Sequence, residues 1–337
     1  MRVVVLTTSY PSPAHPVAGS FVESSVEAVR AAGVDVDVVS PASFPHFGVA
    51  LGAGIAQNLR AAPWKLALVP AFLAAFSAAA RRAARDADLV HAHWIPSALA
   101  ARATGKPYVL QVWGTDVELA RRAPGLVRPL VRGARVVVAA SAYLAEEARA
   151  LGAREVAVVP PPVRVPEHVG DPAEPPHVLF AGRLSEEKGI LEFLQATDGL
   201  PRMIAGDGPL RERVPEAAGL VPPAQLGRYF EAASVVCVPS RREGYGMVAR
   251  EALAHGRPVV ASRVGGLADL AAGAVLVAPG DVRALRSELE SLLRDRERRA
   301  RLGHAGREHA ERRLGAEPAA AALLDAYRLA LVTRGGS

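Results

Sequence analysis

Residues 239–261 read PSRREGYGMVAREALAHGRPVVA. The run Val235–Val238 just before them has the length and β-branched content of a strand, and Pro239 ends it. A loop with two glycines, Gly244 and Gly246, follows. A helical pattern then begins near Met247 and stops before Gly256, a residue type suited to the position just past a helix end. Pro258–Ala261 is strand-like again. Strand, helix and strand in so short a span form a βαβ unit, which sets two parallel strands in one sheet joined by a right-handed crossover. The loop also suggests a chemistry. Its glycines let the backbone approach a ligand, and the amides of Tyr245, Gly246, Met247 and Val248 would face an anion at the positive end of the helix. Glu243 sits just before that end and Glu251 one turn inside it, so two carboxylates flank a phosphate-sized space. A plainer reading makes Glu243 a helix cap and Glu251 the partner of Arg250 or Arg257.

The same alternation extends outward from this unit. In the second half, His177–Phe180 and Arg202–Ala205 read as strands and Ile190–Ala196 as a helix, while residues 281–332 are mostly helical and rich in Arg and Glu. In the first half, Val3–Leu6, Val34–Val39, Leu89–His93, Tyr108–Val112, Val136–Ala139 and Val156–Val159 read as strands. Helices are expected over Ser24–Ala32, Ser97–Arg102 and Ala142–Leu151. Strands that alternate with helices build parallel sheets covered on both faces. Between the halves, Pro160, Pro161, Pro162, Pro166, Pro172, Pro175 and Pro176 stiffen an extended chain. The expected organisation is an α/β chain of two Rossmann-like, doubly wound domains. They span residues 1–163 and 177–310, joined by a Pro-rich linker at 164–176, and a C-terminal helix at 311–337 packs back toward the first.

Half of the 337 residues are hydrophobic and 22% are charged, which places the chain among globular proteins rather than disordered ones. The net charge of +6 suits a phosphate-bearing or anionic partner. No aromatic-interleaved basic repeat or finger spacing points to nucleic acid. The single cysteine, Cys237, lies in an apolar run and reads as a small core residue. The first strand begins at Val3, too early for a secretory leader, and the apolar stretch Leu66–Ala80 is broken by Pro70 and Ser77. The chain reads as soluble and cytoplasmic.

Residues 239–261 resemble the E-x7-E signature of the retaining glycosyltransferases of family 4 (group 1), with its E-G-Y-G core and P-V-V-A continuation. Phe180–Gly189 (FAGRLSEEKG) resembles that family's G-R-L-x-x-E-K-G, and Ala205–Pro209 (AGDGP) its G-x-G-P turn. Gly265–Asp269 and Ala278–Asp281 resemble its G-G-x-x-(E/D) and P-G-D elements. In the first half, Tyr10–Ser20 resembles the glycine loop over the donor. Asp88–Trp94 resembles D-(V/I)-(V/I)-H-x-H, and Gln111–Asp116 resembles H-G-(S/T)-D, with Trp113 where many relatives carry His.

The resemblance implies a GT-B fold, two domains facing a central cleft, and retaining transfer from a nucleoside-diphosphate sugar to an acceptor hydroxyl, without metal or further cofactor. By it, Arg183 and Lys188 stabilise the departing diphosphate. Glu243 contacts the donor sugar and Glu251 the ribose. Gly19, Gly206 and the backbone of 245–248 line the donor, and Val221 meets the base. The acceptor, a glycan, glycolipid or small glycoside, lies near His93, Trp113 and Asp116. Two long cations in one loop suit the same role on chemical grounds, because they can stabilise a leaving diphosphate without a metal.

Several lookalikes are weighed against this. Asp35-Val36-Asp37 alternates as the solvent face of a strand would, and Asp86-Ala87-Asp88 precedes a strand, so neither reads as a metal motif. His91-Ala92-His93 lacks a third zinc ligand. No G-x-G-x-x-G follows the first strand, which argues against a nicotinamide dehydrogenase. Two other functions fit the outline: a nucleotide-sugar 2-epimerase of the same layout, and a non-catalytic basic protein that binds membranes or polyanions. Trp64–Phe76, with Arg60, Arg81, Arg82 and Arg85 nearby, would suit a helix lying in an anionic lipid interface at the inner face of the membrane. The alternative is that Leu66–Phe76 packs on the first sheet with the arginines as its solvated rim.

Overall fold

In the computed structural model, which describes residues 1–50, 54–270 and 272–332, the Val-rich runs become two parallel sheets. The first contains β1 (Arg2–Leu6), β2 (Asp35–Val39), β3 (Leu89–His93), β4 (Tyr108–Val112), β5 (Val136–Ala139) and β6 (Val156–Val158), in the order β2-β1-β3-β4-β5-β6. The second contains β7 (Val178–Ala181), β8 (Arg202–Ala205), β9 (Val235–Val238), β10 (Val259–Ser262) and β11 (Ala274–Val277), in the order β11-β10-β9-β7-β8.

Side-chain pattern decides which strand lies where. β3, β4 and β5 are buried at every position, as strands covered on both faces must be. β2, at an edge, exposes Asp35 and buries Val36. Along β7 the period of two sends Val178 and Phe180 into one apolar cluster with Phe193 and Leu289. Leu179 and Ala181 go into another with Phe230 and Leu253. The second sheet therefore has a core on each face, the doubly wound arrangement. Cys237 lies in the first of these clusters, buried and unreactive, with its thiol pKa raised by desolvation.

In each sheet one strand is flanked by the strands that follow it in sequence. β1 pairs with β2 and β3, and β7 pairs with β8 and β9. The chain winds away in opposite directions from such a point, so the loops at the carboxyl ends of the two strands part and leave a crevice where ligands bind. The loops after β7 and β9 are the ones that carry the densest sequence signals.

The chain divides into Met1–Pro162 with the C-terminal helix Ala316–Val332, and Val163–Gly315. The Pro-rich stretch expected to link the halves instead lies along the second unit. The Val163 amide donates to the Leu314 carbonyl at 2.7 Å and the Ala173 amide to the Ala232 carbonyl at 2.9 Å. Carbonyls in this stretch accept from arginines, Pro166 from Arg307 at 2.5 Å and Gly170 from Arg257. Prolines offer no N–H, so the carbonyls are what the fold must satisfy. The helix Ala316–Val332 packs on the helix Ser20–Ala31, and its Leu323, Ala326 and Tyr327 complete the core around Val3, Val26 and Val136. Residues 333–337 of the expected terminal helix lie outside the described residues.

Candidate active site

At the switch point of the second sheet the loop after β7 runs from Gly182 through a short 3-10 turn, Glu186–Lys188, to Gly189. Gly189 has φ +73, and a Cβ there would stand 2.0 Å from the Pro239 carbonyl oxygen at the end of β9. Only glycine permits the two loops to lie so close. The closeness brings Lys188 to Glu243, with Nζ to Oε2 at 2.7 Å. Their side chains are 32% and 15% exposed, so the pair is partly desolvated yet open to a ligand. The Ser240 hydroxyl reaches the same carboxylate oxygen at 3.5 Å. Arg241 donates its amide to the Glu187 carbonyl at 2.9 Å and its Nε to Glu192 at 2.5 Å, fixing the segment that carries Glu243. Arg183 is exposed on the same loop as Lys188.

The helix Met247–Ala254 starts at Gly246, which takes the left-handed conformation. Its first-turn amides, on Met247 and Val248, have no acceptors within the helix. Arg250 is buried beneath this turn. It stacks on the Tyr245 ring at 3.8 Å, and its guanidinium donates to the carbonyls of Tyr245 and Gly266. A buried cation under a helix start adds to the positive end of the dipole. Glu251 is partly buried, and desolvation pushes its carboxyl up to about 7. Its carboxylate meets no hydrogen-bond donor or cation among the described residues, while Arg250 and Arg257 spend their guanidinium groups on carbonyls. Gly206 has a packing reason as well: a Cβ there would sit 1.8 Å from the Gly182 carbonyl oxygen. Val221 is partly buried against the cluster that holds Phe230.

In the first unit, Gly19 caps the helix Ser20–Ala31 in the left-handed conformation, and a Cβ there would stand 2.2 Å from the Ser9 carbonyl oxygen. The loop after β1 is thus folded onto itself, and the helix begins four residues earlier than the sequence suggested. His93 ends β3, fully buried, and burial holds it neutral, well below its ordinary value. Trp113 stacks beside it at 6.0 Å and meets the Phe21 ring edge at 4.6 Å. Asp116 is buried, and desolvation raises its carboxyl to about 7. Its two oxygens accept from the amides of Ile95 (2.9 Å) and Trp113 (2.7 Å). It therefore joins the starts of two helices, Ile95–Arg102 and Gly114–Arg122. Asp37 pairs with Arg2 at 2.7 Å and Asp88 accepts the Arg2 amide at 2.8 Å, so these carboxylates tie down the start of β1.

This arrangement has close counterparts. A family model described as "Glycosyl transferases group 1" matches residues 175–295, and one described as "Glycosyltransferase Family 4" matches residues 18–165. A D-inositol 3-phosphate glycosyltransferase of Acidothermus cellulolyticus is 32% identical over 304 residues, 70% of this chain and 68% of that protein. The chain belongs to the group 1 glycosyltransferases. Its architecture is GT-B. A sucrose-phosphate synthase of Thermosynechococcus elongatus superposes with a TM-score of 0.81 at 22% identity, over 97% of this chain and 98% of that one. The Anabaena protein HepE, solved in complex with UDP-glucose, superposes at 0.73 and 18% identity, over 97% and 99%.

Sequence reasoning missed three residues of this glycosyltransferase. Arg250 was read only as a partner for Glu251, although its place three residues into a helix behind Gly246 is the signal of a cation under an anion site. Glu192 reaches Arg241 across 49 residues and leaves no local trace. Tyr327 donates or accepts a hydrogen bond with His91 Nδ1 at 2.8 Å across 236 residues. An isolated aromatic in an Ala- and Leu-rich helix was its only mark.

Proposed function

We propose that this glycosyltransferase moves a sugar from a nucleoside-diphosphate sugar to a hydroxyl of a sugar or lipid-linked acceptor, with retention and without a metal ion or further cofactor. The observation that carries the proposal is the Lys188–Glu243 pair, 2.7 Å apart at the switch point of the second sheet and beside the start of the helix Met247–Ala254. A cation, a carboxylate and a helix N-terminus side by side match the parts of one ligand: a diphosphate for Lys188, Arg183 and the amides of 245–248, and hydroxyls for Glu243. Glu251, its carboxyl desolvated and without a hydrogen-bond partner among the described residues, takes the ribose hydroxyls. Gly19 and Gly206 let backbone approach the donor, and Val221 lies against the base. HepE was solved with UDP-glucose, which supports a donor of this class. Trp113 faces the acceptor, with His93 packed behind its ring and Asp116 holding the two loops in place.

In the reaction the acceptor oxygen bonds to the anomeric carbon as the bond from that carbon to the diphosphate oxygen breaks, and the hydroxyl proton passes to that departing oxygen. Lys188 and Arg183 stabilise the charge that develops there, a contribution that is largest where the cations are already in place. We place this step in biosynthesis of a polysaccharide or glycoconjugate in the cytoplasm, with the protein in peripheral contact with the inner face of the membrane.

The test is to incubate the enzyme with a panel of nucleotide sugars and follow sugar release, nucleoside-diphosphate release and the anomeric configuration of any glycoside by NMR. Release of diphosphate with a product of the donor's configuration is expected. An inverted product refutes retention. Formation of an epimer, or no turnover of any donor, refutes the transferase reading.

A further inference from the structure

No Asp or Glu occurs between Asp37 and Asp86, whereas Arg60, Lys65, Arg81, Arg82 and Arg85 all fall in that interval. At the chain's overall frequency of 34 acidic residues in 337, such a run would hold about five. None of the five cations is ion-paired among the described residues. The segment is also where large apolar side chains meet solvent. Trp64 is 68% exposed, Leu66 60% and Phe47 44%. Lys65 joins them into one patch: its Nζ donates to the Gly48 carbonyl at 3.2 Å and lies 5.9 Å from the centre of the Trp64 ring.

The helical run Pro63–Ala83 is 21 residues long, enough by length and composition to cross a bilayer. The fold puts it to another use. Phe72 and Phe76 are fully buried, with Phe44 stacked on Phe76 at 4.7 Å. The later part of the run is therefore fixed in the first unit's core, and only its beginning projects. An apolar tip held rigidly, with Trp at its surface and uncompensated cations around it, is the composition of an interfacial anchor rather than of a span.

We propose that this patch, centred on Phe47, Trp64 and Leu66 and rimmed by Arg60 and Lys65, docks the enzyme on an anionic lipid surface. Charge selects this occupant. A second copy would bring the same basic segment, with no acidic residue of its own, against itself, whereas anionic head groups supply the missing charge, each cation near them adding about fivefold to the partition. The indole suits the boundary between head groups and acyl chains. The inference rests on the peripheral placement proposed above, not on the transfer chemistry.

The experiment uses the full chain in cosedimentation with vesicles of phosphatidylcholine alone, and with vesicles of equal parts phosphatidylcholine and phosphatidylglycerol. Wild type should pellet with the second and stay soluble with the first, and high salt should release it. Trp64→Ser with Leu66→Ser should lower partition at least about tenfold, and Arg60→Glu with Lys65→Glu should do so separately. Sugar release from the donor, measured without vesicles, should be unchanged in both variants. Wild type that stays in the supernatant with anionic vesicles overturns the proposal, as does undiminished pelleting of both variants. Sedimentation of wild type as a dimer that the Trp64/Leu66 variant loses would assign the patch to a second copy instead. Vesicle binding without donor turnover would leave this inference standing and overturn the transferase reading. Turnover without vesicle binding would do the reverse.

Discussion

Replacing Lys188 by Ala separates a structural ion pair from a catalytic cation, because the two roles predict effects of different size. As a structural group, Lys188 contributes one contact, 2.7 Å to a carboxylate, with side chains 32% and 15% exposed. Exposed pairs are worth about 0.2–1 kcal/mol. Here burial raises that figure, and of the side-chain contacts to Glu243 given above the variant keeps the 3.5 Å one to Ser240, so a loss of about 1–2 kcal/mol is expected. For a unit of this size that lowers Tm by about 2–8 °C. As a catalytic group, Lys188 loses a contact to charge that develops on the leaving diphosphate. Such losses raise the barrier by about 2.7–4 kcal/mol, or about 100- to 1,000-fold in kcat. Nucleoside-diphosphate release at saturating donor, beside a thermal melt of the same sample, measures both. We expect a fall in kcat of at least about 100-fold with a modest fall in Tm, and partial recovery in Lys188→Arg. A kcat within about threefold of wild type, with Tm lowered, would remove Lys188 from the mechanism.

Glu251 titrates at about 7 when folded, against about 4.3 in an unfolded chain, so between those values the folded protein holds the extra proton. Its ionised form is the better acceptor for hydroxyls, so donor affinity should rise by up to about tenfold from pH 6 to pH 8 and the dependence should vanish in Glu251→Gln. An identical pH profile in that variant, by calorimetry, defeats the assignment. Activity should persist in excess chelator, and complete loss with recovery on adding manganese or magnesium would refute the metal-independent reading. Tyr327→Phe leaves a buried His91 nitrogen without its partner and should destabilise the first unit by about 1–3 kcal/mol in chemical denaturation. A midpoint equal to that of wild type would show that the hydrogen bond adds nothing.

The fold was legible because its strands are short β-branched runs bounded by Gly and Pro, and because strand and helix alternate without a break. Val235–Val238 and Val259–Ser262 sit one residue or less from where their residues alone placed them. Side-chain partnerships were less legible. Lys188 and Glu243 lie 55 residues apart, and nothing local to either announces that they meet. Asp116 illustrates the limit in another way. The family resemblance put it near the acceptor, but nothing local shows that both its oxygens are held by backbone amides, one of them 21 residues upstream. Gly206 also has a packing role that its residue type does not announce, since a Cβ there would meet the Gly182 carbonyl oxygen. The exposed tip at Trp64 was hidden because the apolar run continues into Phe72 and Phe76, and hydrophobicity alone does not say where burial stops.

The return of the helix Ala316–Val332 to the first unit has a consequence for how the protein is made. A chain emerging from the ribosome exposes β1 to β6 long before Tyr327, yet the core around Val3 and Val136 is finished only by Leu323, Ala326 and Tyr327. The intervening 153 residues, Val163–Gly315, carry their own sheet and their own cores and need nothing from the first unit to form them. Synthesis therefore runs in one order and completion in another: the domain made first closes last. During that interval the face of the first sheet destined for this helix is apolar and uncovered, an opening for a chaperone and a reason for translation through residue 332 to be quick.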